Sequence, residues 1–173
     1  MGQKWSKVAA RWVKVARDGS RWNPGRKGRC AVDVDFMGTY TPRLDDKGRL
    51  AIPARFSEDF GSGLVMTRGP EGCVYLFPTA QFRAVSAAMA QVPSSAAAVR
   101  ARIRIFRSSA TPPEAPDRQG RVTVPVALRG YAEVARDAYL IGNGNRLELW
   151  NPQRWEDYLA AHADDYANYS PGD

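Results

Sequence analysis

Leu44-Asp45-Asp46-Lys47-Gly48-Arg49-Leu50-Ala51-Ile52-Pro53 returns later in the chain as Pro116-Asp117-Arg118-Gln119-Gly120-Arg121-Val122-Thr123-Val124-Pro125. Both copies carry the frame Asp-x-x-Gly-Arg-apolar-x-apolar-Pro, and every shared position is displaced by the same 72 residues. One such string would carry little information. Two in register mark an internal duplication.

The chemistry inside each copy is that of a tight turn opening a strand. Asp45 and Asp117 can bond their own backbone two residues on, and Gly48 and Gly120 accept a positive φ. Arg49-Leu50-Ala51-Ile52 and Arg121-Val122-Thr123-Val124 alternate polar and apolar residues as half-buried strands do. Pro53 and Pro125 end those strands and suit the first turn of a helix, read over Ala54–Phe60 in the first copy and opened by Pro125-Val126-Ala127-Leu128-Arg129 in the second. Leu128 falls where Phe56 did.

Working outward, Thr39–Leu44 reads as a strand kept at an edge or a bulge by Pro42. Leu64–Thr67 and Val74–Phe77 flank the turn residues 68–72 as a hairpin, and Ala138–Ile141 and Leu147–Trp150 flank Gly142-Asn143-Gly144-Asn145-Arg146 in the same way. Leu147, Leu149, Trp150 and Trp155 match Val74, Leu76, Phe77 and Phe82 at an offset of 73. Each unit is therefore strand, turn, strand, short helix, hairpin. One unit alone is too small to bury both faces of its sheet, so it needs the other.

This gives a β-rich α+β chain with two tandem repeats, residues 36–82 and 115–158, forming one pseudo-twofold domain. Residues 83–114 read as a helical connector interrupted at Pro93. Residues 159–173 read as an acidic tail, a polar helix that frays before Pro171.

The net charge of +7 is unevenly spread. Residues 1–35 carry nine Lys/Arg against Asp18, Asp33 and Asp35, whereas residues 136–173 carry three against seven acids. A basic body suits a polyanionic partner. Residues 1–35 are a basic extension in which Trp5-Ser6-Lys7-Val8-Ala9 nearly repeats as Trp12-Val13-Lys14-Val15-Ala16. Three readings stand for it: an arm tracking nucleic acid, a disordered solvated leader, or upstream regulatory DNA translated from a misplaced start, with Val32 or Val34 as the true one.

Catalysis is disfavoured. His162 is the only histidine, Asp45 and Asp46 are adjacent in a turn where they point apart, and no nucleophile–base pair or phosphate-binding glycine loop is evident. Cys30 and Cys73 form neither a metal pattern nor a disulfide framework. No cofactor, membrane span or small-molecule substrate is implied, and the absence of a secretory signal places the protein in the cytosol. The turns have two compatible roles. Asp45 with Arg49, and Asp117 with Arg121, can form salt bridges that fix the loops. The first turn can also present Arg43, Lys47 and Arg49 together to DNA, lysine on phosphate and arginine on phosphate or a guanine edge. The second offers Arg118 and Arg121 but has Gln119 for Lys47 and Ala115 for Arg43, so the first is the expected reader. Arg100, Arg102, Arg104 and Arg107 spread around a helix rather than forming one stripe.

These residues resemble the MraZ family of bacterial transcription regulators, whose halves each resemble a SpoVT-AbrB domain with an Asp-x-x-x-Arg motif. The matching positions are Phe36, Gly38, Leu44, Asp45, Lys47, Gly48, Arg49, Pro53, Tyr75 and Phe77, then Asp117, Gly120, Arg121, Leu128, Leu147, Glu148, Leu149 and Trp150. The resemblance covers residues 36 to about 160, and residues 1–35 have no counterpart in the usual family pattern. It implies AbrB-like repeats assembled into a ring-like homo-oligomer that binds direct repeats in the promoter of the division and cell-wall gene cluster, its own promoter included. Such a regulator would be nucleoid-associated, with its DNA-contacting loop at Lys47 and Arg49. The alternative is an antitoxin-like or scaffolding AbrB-fold oligomer without specific promoter recognition.

Overall fold

In the computed structural model, residues 34–91 and 96–169 are described; the readings of residues 1–33 lie outside them. The chain runs β1 (Thr39–Tyr40), β2 (Arg49–Ala51), a 3-10 turn (Ala54–Phe56), β3 (Leu64–Arg68), β4 (Val74–Pro78), α1 (Thr79–Ala90), α2 (Ala97–Ser108), β5 (Arg121–Thr123), α3 (Val126–Ala132), β6 (Tyr139–Asn143), β7 (Arg146–Trp150) and α4 (Pro152–Ala167). It is an α+β fold of antiparallel strands.

The two quoted stretches meet each other. β2 pairs antiparallel with β5, Arg49 opposite Thr123 and Ala51 opposite Arg121. Ile52 N–H donates to Gly120 O at 2.9 Å, and its repeat equivalent Val124 donates to Gly48 O at 3.0 Å. The other strands form one sheet in the order β1-β6-β7-β4-β3. At its centre Val74 pairs with Leu149, Tyr75 with Glu148 and Leu76 with Leu147, a register that maps onto itself when the halves are exchanged at their offset of 73.

The halves also exchange their first strands. β1 pairs with β6 of the second hairpin. Its repeat equivalent, Thr111–Glu114, lies along β3, where Thr111 N–H bonds Met66 O and Leu64 and Glu114 exchange both backbone bonds. Pro112 and Pro113 lack the donors that would make this segment a regular strand.

Period-two alternation assigns the sheet's faces. Leu64, Met66, Val74, Leu76, Leu140, Leu147 and Leu149 point toward the β2–β5 ribbon and share one core with Leu50, Ile52, Val122 and Val124. Phe36 fills its edge, stacked on Phe60 with ring centroids 5.2 Å apart and edge-on to Phe56 at 4.9 Å. Each fully buried side chain of this size stabilises by roughly 1.5–3 kcal/mol. On the opposite face, Phe77 meets Phe82 of α1 and Phe106 of α2, while Trp150 meets Trp155 and Tyr158 of α4. The ribbon and the helical layer thus lie on opposite sides of the sheet.

Two local expectations need correction. The strand expected over Thr39–Leu44 is regular only at Thr39–Tyr40 and resumes as a single bridge from Arg43 to Asp137, because Pro42 has no N–H for the ladder. The first-half helix expected over Ala54–Phe60 shrinks to the 3-10 turn Ala54–Phe56 followed by turns, whereas its second-half counterpart is the seven-residue α3. Phe56 and Phe60 both enter the core, fully buried, and that packing wins over helix continuation. The C-terminal helix starts at Pro152 and continues to Ala167. Asn151 caps it, its side chain accepting from the N–H groups of Gln153 and Arg154. Helices α1 and α4 run through positions 82/83 and 158/159.

Candidate nucleic-acid interface

Each Asp-x-x-x-Arg turn is closed from within. In the first, Asp45 Oδ1 accepts the backbone N–H groups of Lys47 (3.0 Å) and Arg49 (2.9 Å), and Oδ2 accepts Arg49 Nε at 2.6 Å. In the second, Asp117 Oδ1 accepts Gln119 N–H and Arg121 N–H, both at 2.9 Å, and Oδ2 accepts Arg121 Nε at 3.1 Å and an Nη at 2.9 Å. Gly48 and Gly120 complete the turns at φ +72° and +71°, a left-handed conformation that an L side chain resists. The backbone N–H of Arg49 is the main influence holding the Asp45 carboxyl below the ordinary carboxylate range, assisted by the Arg49 guanidinium and Lys47 N–H. Arg121 N–H does the same for Asp117, with the Arg121 guanidinium and Gln119 N–H assisting. Both aspartates are therefore charged acceptors at neutral pH.

Because β2 and β5 are antiparallel neighbours, the two turns stand at opposite ends of one ribbon. Leu50 and Val122 point inward, leaving Arg49, Ala51, Arg121 and Thr123 on the outer side of the ribbon. Arg121 reaches across it, one Nη lying 3.9 Å from Asp45 Oδ2. The arginines are thus unequal. Arg121 is hydrogen-bonded to Asp117 through Nε and one Nη, and among the described residues its other Nη has only the longer ion-pair contact with Asp45. Arg49 is fixed at Nε, and among the described residues no acceptor bonds its Nη groups. An oriented guanidinium with an open donor pair suits a phosphate or the O6/N7 edge of guanine.

The remaining expected site residues are arranged less compactly. Lys47 and Arg118 stand exposed on the two turns. Arg43 is exposed too, but its Nε donates to Asp137 at 2.6 Å, an ion pair that raises the Arg43 pKa above its ordinary value. It belongs to the bridge with β6's leading segment rather than to a free cluster with Lys47 and Arg49. Sequence reasoning passed over Arg129. This half-buried residue of α3 donates from Nε to Val124 O at 3.1 Å and lies directly beneath Gly48, so that a Cβ there would come within 2.7 Å of its guanidinium carbon. Nothing in the local pattern marks it, since its repeat equivalent is Ser57. Arg55 was also missed: its guanidinium lies over the rings of Phe56 and Tyr40, 4.7 and 5.5 Å from their centroids.

The duplicated turn and its flanks match the family model described as "MraZ protein, putative antitoxin-like", over residues 36–105 and 109–169. The chain belongs to the MraZ family. A relative from Frankia alni, named "Transcriptional regulator MraZ", is 47% identical over 135 residues, covering 78% of this chain and 94% of the relative. Proteins of the same name from Salinispora arenicola (46% over 137 residues, 79% of this chain and 96% of the relative) and Micrococcus luteus (50% over 125 residues, 72% and 87%) are similar in the same way. The MraZ match falls in two segments, one on each half of the pseudo-twofold domain. No helix among the described residues is long and apolar enough to cross a membrane.

Proposed function

We propose that this chain is a non-enzymatic, sequence-specific DNA-binding regulator of transcription, acting in the cytoplasm at the nucleoid. It would recognise direct repeats in the promoter of the division and cell-wall gene cluster, its own promoter included, and bind them as a ring-like homo-oligomer. The observation that carries the reading is the asymmetric pair of turns on the ribbon's outer side. Arg49 is oriented by Asp45 with its outer donors open, Lys47 stands exposed on the same turn and Arg118 on the turn at the ribbon's other end, and Arg121 is bound to Asp117 with one Nη 3.9 Å from Asp45. Regulators named among the relatives support the class. A ring supports the affinity: individually weak contacts on successive subunits meet successive DNA repeats, and linking them multiplies binding.

The test is binding of the full chain to a duplex carrying the repeats and to a scrambled duplex, across a salt series. Lys47→Ala should weaken both and flatten the salt slope by about 0.9 per lost phosphate contact at each engaged site. Arg49→Ala should abolish the preference between duplexes, costing about 1–3 kcal/mol of discrimination per guanine contact, while Arg121→Ala should keep the preference and loosen the fold. An Arg49→Ala protein with intact fold and wild-type preference refutes the assignment. The description "antitoxin-like" attached to the family model favours a second reading, an antitoxin-like or scaffolding oligomer; that protein would show no preference for the repeats as salt rises.

A further inference from the structure

The two halves differ most on the sheet face away from the ribbon. Helix α1 follows β4 as α4 follows β7, at the same offset of 73, so Phe82, Val85 and Ser86 correspond to Trp155, Tyr158 and Leu159. In the first half a second helix closes over α1. Phe106 of α2 stacks on Phe82 with centroids 5.4 Å apart, and Arg107 bonds Ser86 through Nε to Oγ (3.1 Å) and Nη to O (2.8 Å). Among the described residues no helix plays that part for α4.

The uncovered part of α4 carries apolar and aromatic side chains into solvent, with the His162 ring centroid 4.3 Å from that of Tyr158. Trp155, Tyr158, Leu159, His162 and Tyr166 recur at spacings of three and four, which is one stripe of a helix. The start of the stripe is seated: Trp155 and Tyr158 pack on Trp150. Beyond it, Leu159 is 50% exposed, Tyr166 84% and Tyr169 70%, and every described residue from 159 to 169 is exposed. Two turns of apolar stripe overhang the body of the protein. An isolated helix end of this length has little stability in water without a partner for its apolar face.

The outer face of α2 supplies a matching surface. Ala98, Ala101 and Ile105, three and four residues apart, share one exposed side, and Ile105 is 52% exposed. Two alanines permit close helix approach. Arg102 and Arg104 border this stripe on opposite sides, and α2 contains four arginines and no acid. Helix α4 has the opposite sign, with Glu156, Asp157, Asp164 and Asp165 against Arg154 alone.

We propose that the overhanging stripe of α4 in one copy docks on the Ala98–Ala101–Ile105 stripe of α2 in a neighbouring copy. The contact supplies α4 with the helical cover that α1 receives within its own chain. The two surfaces differ, so the contact is head-to-tail and repeats from copy to copy until it closes. On α4 it lies on the sheet face opposite the ribbon, and on α2 it reaches Ile105 beside the cleft lined by Arg68, Ala127 and Leu128. The inference supplies the interface for the homo-oligomer proposed above and rests on that part of the reading, but not on DNA recognition.

The experiment is sedimentation velocity of the full chain without DNA, over a concentration series, with circular dichroism to verify folding. Arg102→Glu with Arg104→Glu places like charges against α4, and Glu156→Arg with Asp165→Arg places them against α2. Each pair of changes should raise the dissociation concentration by about tenfold or more, and a chain carrying all four should recover assembly. Leu159→Asp with Tyr166→Asp should dissociate it outright. Wild-type assembly in both charge-reversed proteins, or no recovery in the fourfold variant, overturns the interface while leaving DNA binding untouched. A wild-type chain that sediments as a monomer overturns both the interface and the ring, and DNA binding by that monomer would still be measurable by itself.

Discussion

The duplicated glycine offers an internally controlled measurement. Gly48 and Gly120 have the same role, an arginine following each, and φ values of +72° and +71°. An alanine at either must adopt the left-handed region, at about 1–2 kcal/mol. Their surroundings differ. A Cβ on Gly120 would meet only Ile52 O, at an ordinary 3.9 Å, whereas a Cβ on Gly48 would fall 2.7–2.9 Å from three atoms of the Arg129 guanidinium. Arg129 would have to withdraw and release its bond to Val124 O. That adds the loss of a partly buried charged hydrogen bond, about 1.5–3 kcal/mol at most. Gly120→Ala should therefore cost roughly 1–2 kcal/mol and Gly48→Ala more, up to roughly 2.5–5 kcal/mol. Denaturant titrations followed by tryptophan fluorescence, at one protein concentration because assembly contributes to apparent stability, give both values. In an Arg129→Ala background the two alanines should become equal. Equal losses in the wild-type background, or a difference that survives removal of Arg129, would refute the account of how the second half supports the first turn.

Two other outcomes follow from the same contacts. Asp45 and Asp117 have depressed folded pKa values, so the stability they contribute is fully present above the unfolded carboxylate value of about 4 and is lost as pH falls through the lower folded value. A protein with Asp45→Asn and Asp117→Asn should be less stable at pH 7 and show a shallower acid loss below about pH 4; stability–pH curves parallel to wild type would count against the turn geometry. Glu148→Leu removes the buried acceptor shared by Arg146 (2.7 Å), Asn143 (2.9 Å) and the Trp150 indole N–H (3.2 Å). It should lower unfolding free energy by about 2–4 kcal/mol and shift Trp150 emission, and a neutral result would show that this network is dispensable.

The sequence by itself determined the repeat, its turn chemistry and its hairpins. These features are local. Asp at the first turn position, glycine immediately before the arginine that starts the strand, and period-two alternation each act within a few residues, so the pattern states them directly. The core legible from that alternation is the core observed, from Leu50 and Val122 on the ribbon to Leu147 and Leu149 in the sheet. Tertiary structure alone decided which strands pair. Nothing local says that β2 meets β5, or that β1 crosses to the other hairpin, because neither half can bury its own sheet and the partner lies some 70 residues away. The same long-range pairing separates two arginines that look equivalent in sequence. Arg121 is hydrogen-bonded to Asp117 and lies 3.9 Å from Asp45 of the other turn, while Arg49 has Asp45 alone among the described residues. It also put Arg129 beneath Gly48 and left α4 uncovered where α1 is covered. A duplication fixes what the halves share, and the differences on which the proposed function rests come from what each half packs against.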